Sequence, residues 1–354
     1  MTRPAVTHAA ATLRRSALVV AVVVASCATA CSSSGAPIAG TAERGDSATT
    51  PPPNRSIISY GGQFLSSCPF SHSLADDPIM HRGHPGASHA HEFFGNASTD
   101  ASSTYASMIH EPSTCSDDGD RSAYWVPALT IDGKRVVPRR VDAYYRAGPG
   151  VAAANVQPFP EGLEVLAGNQ FSTRPQSLTI AAWSCGLSPD MAHAPPENCT
   201  PDRPVQLRLT YPSCWDGSHI RSDDHTSHMA YPSPASGCDD AHPIALPQLT
   251  LTVHYAFSGS YEEASIASGG FDTTHGDFLA AWQDQRIVDQ VKGCLNRDVT
   301  CGIVGGTFHT GQGAQDLNSY NLGPAGAGPT TVPDYDGGVT TTTMDPTRMA
   351  HMSH

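Results

Sequence analysis

Ala123-Tyr124-Trp125-Val126-Pro127-Ala128-Leu129-Thr130-Ile131 leads into Asp132-Gly133 and then Lys134-Arg135-Val136-Val137. Two β-favouring runs around an Asp-Gly pair predict a hairpin, because a tight primed turn needs positive φ at its central residues and Asp and Gly tolerate it. Further strands are expected over 178–183, over 205–211 and over 248–257. In the last two, Val205, Leu207, Leu209 and Tyr211, and then Leu249, Leu251, Val253 and Tyr255, fall at every second position. Such alternation buries one face and leaves the other wetter. With 29 Pro and 32 Gly, long helices have few places to sit. One is predicted over 278–295, where Leu279, Trp282, Ile287, Val291 and Leu295 recur near helical spacing behind Asp277 as N-cap. The expected fold is all-β: a jelly-roll-like β-sandwich with long loops and that single helix.

The flanks read differently. Arg14 and Arg15 precede an apolar run at 17–25 that is too short to span a bilayer, so residues 1–30 are expected to be a lipoprotein signal peptide. Cys27 and Cys31 compete as the lipid-bearing residue. Val24-Ala25-Ser26-Cys27 is the better processing box, whereas Cys31 is followed by the polar Ser32-Ser33-Ser34-Gly35. Parity favours Cys31 as lipid anchor: of ten cysteines, cleavage before it discards Cys27, lipidates Cys31 and leaves an even set for an oxidising compartment. The expected location is the extracellular face of the cell membrane, or secretion if the signal is cleaved without lipidation. Residues 31–55 read as a Ser/Thr/Pro-rich tether, 56–310 as one globular domain and 311–354 as a low-complexity tail. Met344, Met349, His351, Met352 and His354 in that tail offer soft ligands to copper.

The remaining cysteines are Cys68, Cys115, Cys185, Cys199, Cys214, Cys238, Cys294 and Cys301. Many connectivities are open to eight cysteines; pairing each with its nearest neighbour in sequence staples four loops. A formal net charge of −13, with Lys134 and Lys292 as the only lysines, leaves no basic patch for nucleic acid. No Gly-x-Ser-x-Gly elbow announces a serine hydrolase.

Histidine recurs beside acid or glycine in Ser88-His89-Ala90-His91, Asp223-Asp224-His225-Thr226-Ser227-His228 and His275-Gly276-Asp277. Any one of these histidines is more commonly bonded to its own loop; the grouping is what argues for a site. His89 and His91, two apart, point to the same side of an extended strand and can reach one ion. The third ligand is open among His228, His225 and His275, with Asp216, Asp224 or Asp277 as ligand or supporting partner. One divalent ion, zinc, copper or calcium, is the expected cofactor. A metal-free reading makes His275 with Asp277, or Asp224 with His225, the acid and base acting on a glycosidic bond. In either case Trp125, Trp215 and Tyr231 are the candidates for stacking on sugar rings, whereas Trp282 reads as core.

Asp77-Pro78-Ile79, Ser88-His89-Ala90-His91, Gly95-Asn96, Tyr124-Trp125-Val126-Pro127, Pro212-Ser213-Cys214-Trp215-Asp216-Gly217, Asp224-His225-Thr226-Ser227-His228-Met229-Ala230-Tyr231-Pro232, His242-Pro243-Ile244 and His275-Gly276-Asp277-Phe278 occur in that order. Over about residues 60–300 the chain resembles the secreted fungal and actinobacterial family catalogued as domain of unknown function 1996. It departs from that pattern at Asp272-Thr273-Thr274. The resemblance implies an extracellular compartment and confers no activity. Acid and imidazole together point to an enzyme acting on a cell-envelope or environmental polysaccharide; the alternative is a non-catalytic surface protein that binds glycan or metal.

Overall fold

The computed structural model describes residues 62–304 and 307–312 of the 354-residue chain. Cys31, the tether and the methionine- and histidine-bearing tail lie outside the described residues.

The described chain opens with β1 (Gln63–Leu74), β2 (His91–Gly95), β3 (Ala123–Pro127) and the short β4 (Leu129–Ile131). They are followed by β5 (Lys134–Val136), β6 (Pro138–Arg146), β7 (Glu164–Gly168), β8 (Ala181–Cys185) and β9 (Val205–Thr210). Two-residue strands β10 (Cys214–Trp215), β11 (Met229–Ala230) and β12 (Ile244–Ala245) precede β13 (Gln248–Tyr255), β14 (Ala264–Ile266), β15 (His275–Leu279), β16 (Thr300–Val304) and β17 (Thr307–Gln312). The helices are α1 (Tyr105–Met108) and α2 (Asp284–Gly293).

β1 joins two sheets. Its first half pairs antiparallel with β6, from Gln63 opposite Arg146 to Pro69 opposite Arg140. Its second half pairs with β2, from Phe70 opposite Phe94 to Leu74 opposite His91, after a register shift between Phe70 and His72. A bulged strand that bends in this way passes from one sheet to the other. The first sheet continues from β6 through β13 and β9 to β8, with β16 and β17 on the other side of β1; the second runs β2, β3, β15, β7. Between them lies a core that includes Phe64, Tyr145, Leu209 and Tyr211 from the first sheet and Tyr124, Val126 and Phe278 from the second. The Tyr124 and Tyr145 hydroxyls meet at 2.5 Å across that core. The expected β-sandwich is the fold observed.

The second sheet is covered on its other face as well. Phe93, Ala123, Trp125 and Leu279 there form a smaller apolar cluster with Ile79, Met108 and Ala281. Every residue of β2, β3 and β15 is consequently buried. This corrects the helix expectation. Phe278 and Leu279 end a strand buried on both faces, and the apolar run they open, Phe278-Leu279-Ala280-Ala281-Trp282, has the same look as the start of a buried helix. Asp277 is a strand residue, and α2 begins at Asp284.

The quoted hairpin forms, with Leu129 opposite Val136 and Ile131 opposite Lys134, and with φ of 48° at Asp132 and 72° at Gly133. The run before the turn is not one strand. After Pro127, which has no N–H for a ladder, Ala128 donates to the Ala90 carbonyl, and β4, β5 and β14 form a small separate sheet. Nearest-neighbour pairing of the cysteines is observed throughout: Cys68–Cys115, Cys185–Cys199, Cys214–Cys238 and Cys294–Cys301.

Candidate metal centre

His91 and Phe93 share one face of β2, and His275, Asp277 and Leu279 share one face of β15, because side chains alternate along a strand. That common face is the one carrying the smaller apolar cluster. His89, in the segment before β2, folds over it: its ring lies 4.2 Å from that of His91 and 5.1 Å from that of His275, centroid to centroid. One nitrogen from each of His89, His91 and His275 lies within 4.8 Å of the others, and so do single ligand atoms of Asp77, His91 and Asp277.

Backbone carbonyls orient the rings. Nδ1 of His91 is 2.9 Å from the Asp76 carbonyl, and Nδ1 of His275 is 2.8 Å from the Thr273 carbonyl. A carbonyl can only accept, so in both rings Nδ1 carries the proton and Nε2 presents a lone pair. Asp76 also anchors the loop, since its carboxylate accepts from the Gly86 N–H at 2.7 Å and the Ala101 N–H at 3.0 Å. Asp77 uses Oδ1 to accept from Ile79 and Met80 N–H, each at 2.9 Å, which leaves Oδ2 for the cluster.

What remains is a group of buried atoms with no hydrogen-bond partner among the described residues: Nε2 of His89, His91 and His275, both carboxylate oxygens of Asp277, and Oδ2 of Asp77. Each such atom costs on the order of 1–3 kcal/mol when left unsatisfied. His275 Nε2 and Asp277 Oδ2, 3.8 Å apart, are too distant to relieve one another by a hydrogen bond. Burial pushes His91 and His275 down to about 3, reinforced by the neighbouring imidazoles, and pushes the Asp277 carboxyl well above the usual carboxylate range. Without a cation the pocket therefore suppresses charge of either sign. A divalent cation would satisfy the lone pairs together and reverse the penalty on the Asp277 carboxylate. The residues fit a metal.

Gly276 makes the arrangement possible. A Cβ there would meet Leu209 Cδ1 at 2.4 Å and the Tyr211 hydroxyl at 2.9 Å, both from the facing sheet. His91 and His275 are buried and His89 is half-buried, so the cluster opens to solvent on the His89 side. His81 is close enough for its charge to act on both His89 and His91. It also lines a 430 Å³ cleft with Arg82, Arg221 and His225. A larger cavity of 680 Å³, lined from 150–158 and by Ser236, Gly237, Cys238, Pro243 and Ala245, has Lys292 as the only ionisable side chain among its described lining residues and lacks comparable chemistry.

The other expected site residues lie elsewhere. His228 has both ring nitrogens occupied, Nδ1 with Ser222 Oγ at 3.0 Å and Nε2 with the Glu164 carbonyl at 2.7 Å, so it is not brought into the cluster. Asp224 accepts from Ser222 Oγ, Thr226 N–H and Ser227 N–H within its own turn. Asp216 does the same for Ser218 and His219. His225 faces the cleft. Trp125 is fully buried against Phe93 and offers no face to a sugar, a correction to its expected stacking role. Trp215 is half-buried, with its indole N–H on the His219 carbonyl, and Tyr231 is 41% exposed. Asp77 was not among the expected ligands. The signal for it was an acid immediately before Pro78, which starts a turn wherever it occurs and points to no ion by itself.

The fold and this cluster define a class: a disulfide-stapled β-sandwich with a buried histidine and aspartate centre on one sheet. The family described as Domain of unknown function (DUF1996) matches residues 77–282, more than half of the chain, and the chain belongs to that family. No curated protein and no solved structure matches it. The family and the four disulfides fit an extracellular protein.

Proposed function

We propose that this chain is an extracellular metalloenzyme acting on a cell-envelope or environmental polysaccharide, its cation held by His89, His91, His275 and Asp277 with Asp77 beside them. The observation that carries the reading is the convergence of three buried, unpartnered imidazole Nε2 atoms. Three nitrogens favour zinc or copper over calcium, which takes oxygen ligands. The bound cation would supply Lewis-acid or water-activating chemistry. The chain's own part is to hold the rings through the Asp76 and Thr273 carbonyls and to leave the His89 side open towards the cleft. Attachment to the membrane through Cys31 belongs to the same proposal and is read by mass spectrometry of the lipidated N-terminal peptide.

Elemental analysis of the intact purified protein, before and after chelation, tests the centre. About one equivalent of cation per chain is expected, and His91→Ala should abolish it. Release of reducing ends from a panel of polysaccharides, lost on chelation and in His275→Ala with folding retained, tests the enzyme. The burial of His91 and His275 favours a second reading, in which the cation is structural and the protein a non-catalytic glycan-binding surface protein. Bound cation with glycan binding and no turnover would select it.

A further inference from the structure

The cleft beside the centre has a charge out of keeping with the chain. The protein carries a formal −13, yet the cleft between residues 79–84 and 221–225 presents two guanidinium groups, Arg82 and Arg221, and the imidazoles of His81, His84 and His225. Among its described lining residues the one carboxylate is that of Asp223, which is exposed. Arg82 is already engaged: it pairs with the buried Glu164 and donates to the Ser103 carbonyl at 3.3 Å. Arg221 is different. It is exposed and forms no hydrogen bond or ion pair among the described residues, although its charge reaches Glu164.

His225 adds an independent observation. Its φ of 61° is in the left-handed region, which a non-glycine residue occupies at a cost, and its Nδ1 is buried without a partner. Strain and an unsatisfied ring nitrogen on a cleft wall are features retained where a ligand completes the bonding.

We infer that the cleft binds an anionic sugar unit, a uronate or a sulfated residue of the polysaccharide, with Arg221 as its principal charge partner and His81 and His225 as flanking donors. A free guanidinium matches a carboxylate or sulfate with two parallel N–H bonds. Charge at the subsite next to the cation centre would also position the neighbouring sugar over the open His89 side. The inference rests on the glycan reading of the preceding section but not on the presence of the cation.

The test is calorimetric titration of the intact protein with polygalacturonate oligomers, with sulfated dextran and with a neutral cello-oligosaccharide, alongside elemental analysis of the same samples. Either anionic glycan should bind at least about tenfold more tightly than the neutral one, and the two anionic arms assign carboxylate or sulfate. Arg221→Gln should weaken that binding about tenfold or more, with cation content unchanged. Equal affinity for the neutral glycan, no binding to either anionic one, or binding indifferent to Arg221→Gln would overturn the inference. Arg221-dependent binding by protein that holds no cation would leave the cleft standing and sink the metal reading alone.

Discussion

Two regions of this molecule gather histidine and aspartate, and they use them in opposite ways. In the segment from Cys214 to His242 the side chains of Asp216, Asp224, Asp239, His219, His228 and His242 each find a partner, whereas Arg221 and His225 Nδ1, without one among the described residues, face the cleft. His219 sits on Asp216 at 2.6 Å, His242 on Asp239 at 3.0 Å, and His228 between Ser222 and the Glu164 carbonyl. On the β2 and β15 face, His91 and His275 each spend one nitrogen on a carbonyl and keep the other, with Asp277, unpartnered and buried. The difference is geometric. A loop can curl until both ends of a side chain find groups close by, whereas a strand commits its backbone to the ladder, so His91 and His275 reach one carbonyl each and send the other nitrogen to a face shared with neighbouring strands.

The sharpest way to break this contrast is to remove a strand-borne histidine. His91→Ala or His275→Ala should lower cation affinity by more than about 100-fold, read by competition with a chromogenic chelator, while His228→Ala should leave affinity unchanged. Equal losses in both regions would erase the distinction. Asp77→Asn is gentler. It retains the Oδ1 acceptor for Ile79 and Met80 and replaces the free oxygen, so affinity should fall about 10- to 100-fold with the thermal midpoint preserved. Gly276→Ala probes the same face through packing. The Cβ would collide with Leu209 and Tyr211, and denaturant unfolding should show a loss of about 1–3 kcal/mol.

In the loop region the expected changes are in stability. His228→Ala should cost about 1–3 kcal/mol in the same unfolding experiment, since it strands the buried Glu164 carbonyl. The smallest effect concerns His242, whose imidazolium is favoured by the Ser227 carbonyl, against the opposing pull of burial, and by Asp239, so its pKa rises above the ordinary 6.5. A group whose pKa is raised on folding adds stability that is complete below 6.5 and disappears as pH rises through the folded value. Amide exchange in the segment 227–242 should therefore quicken modestly over that rise, and His242→Gln should flatten the dependence. A segment equally protected on both sides of the transition would refute the assignment.

Much of the fold was legible because its signals are local. Val205, Leu207 and Leu209, with Leu249, Leu251 and Val253, alternate in the sequence and face the core in the structure. Asp132-Gly133 turned as its backbone preferences require, and the disulfides joined neighbours in sequence. Illegible was whatever depended on both faces of a strand. Phe278-Leu279 resembled the start of a helix because one residue faces each core, and the same double burial hid Trp125 from the surface it was expected to share. The candidate site was legible in residue type and only partly in membership. His89, His91, His275 and Asp277 gathered; His228, Asp216 and Asp224, from equally suggestive motifs, did not; and Asp77 joined from a turn.

From its sequence alone this protein is determined to be a β-rich, disulfide-stapled chain with more imidazole and carboxylate in short motifs than packing requires. Periodicity, turn chemistry and cysteine order act over a few residues, so they survive in one dimension. Which histidines remain without partners was decided only by the tertiary structure. That outcome depends on which side chains the packed sheets and the loops over them leave facing one another or a cleft, and no local pattern in the chain carries that information.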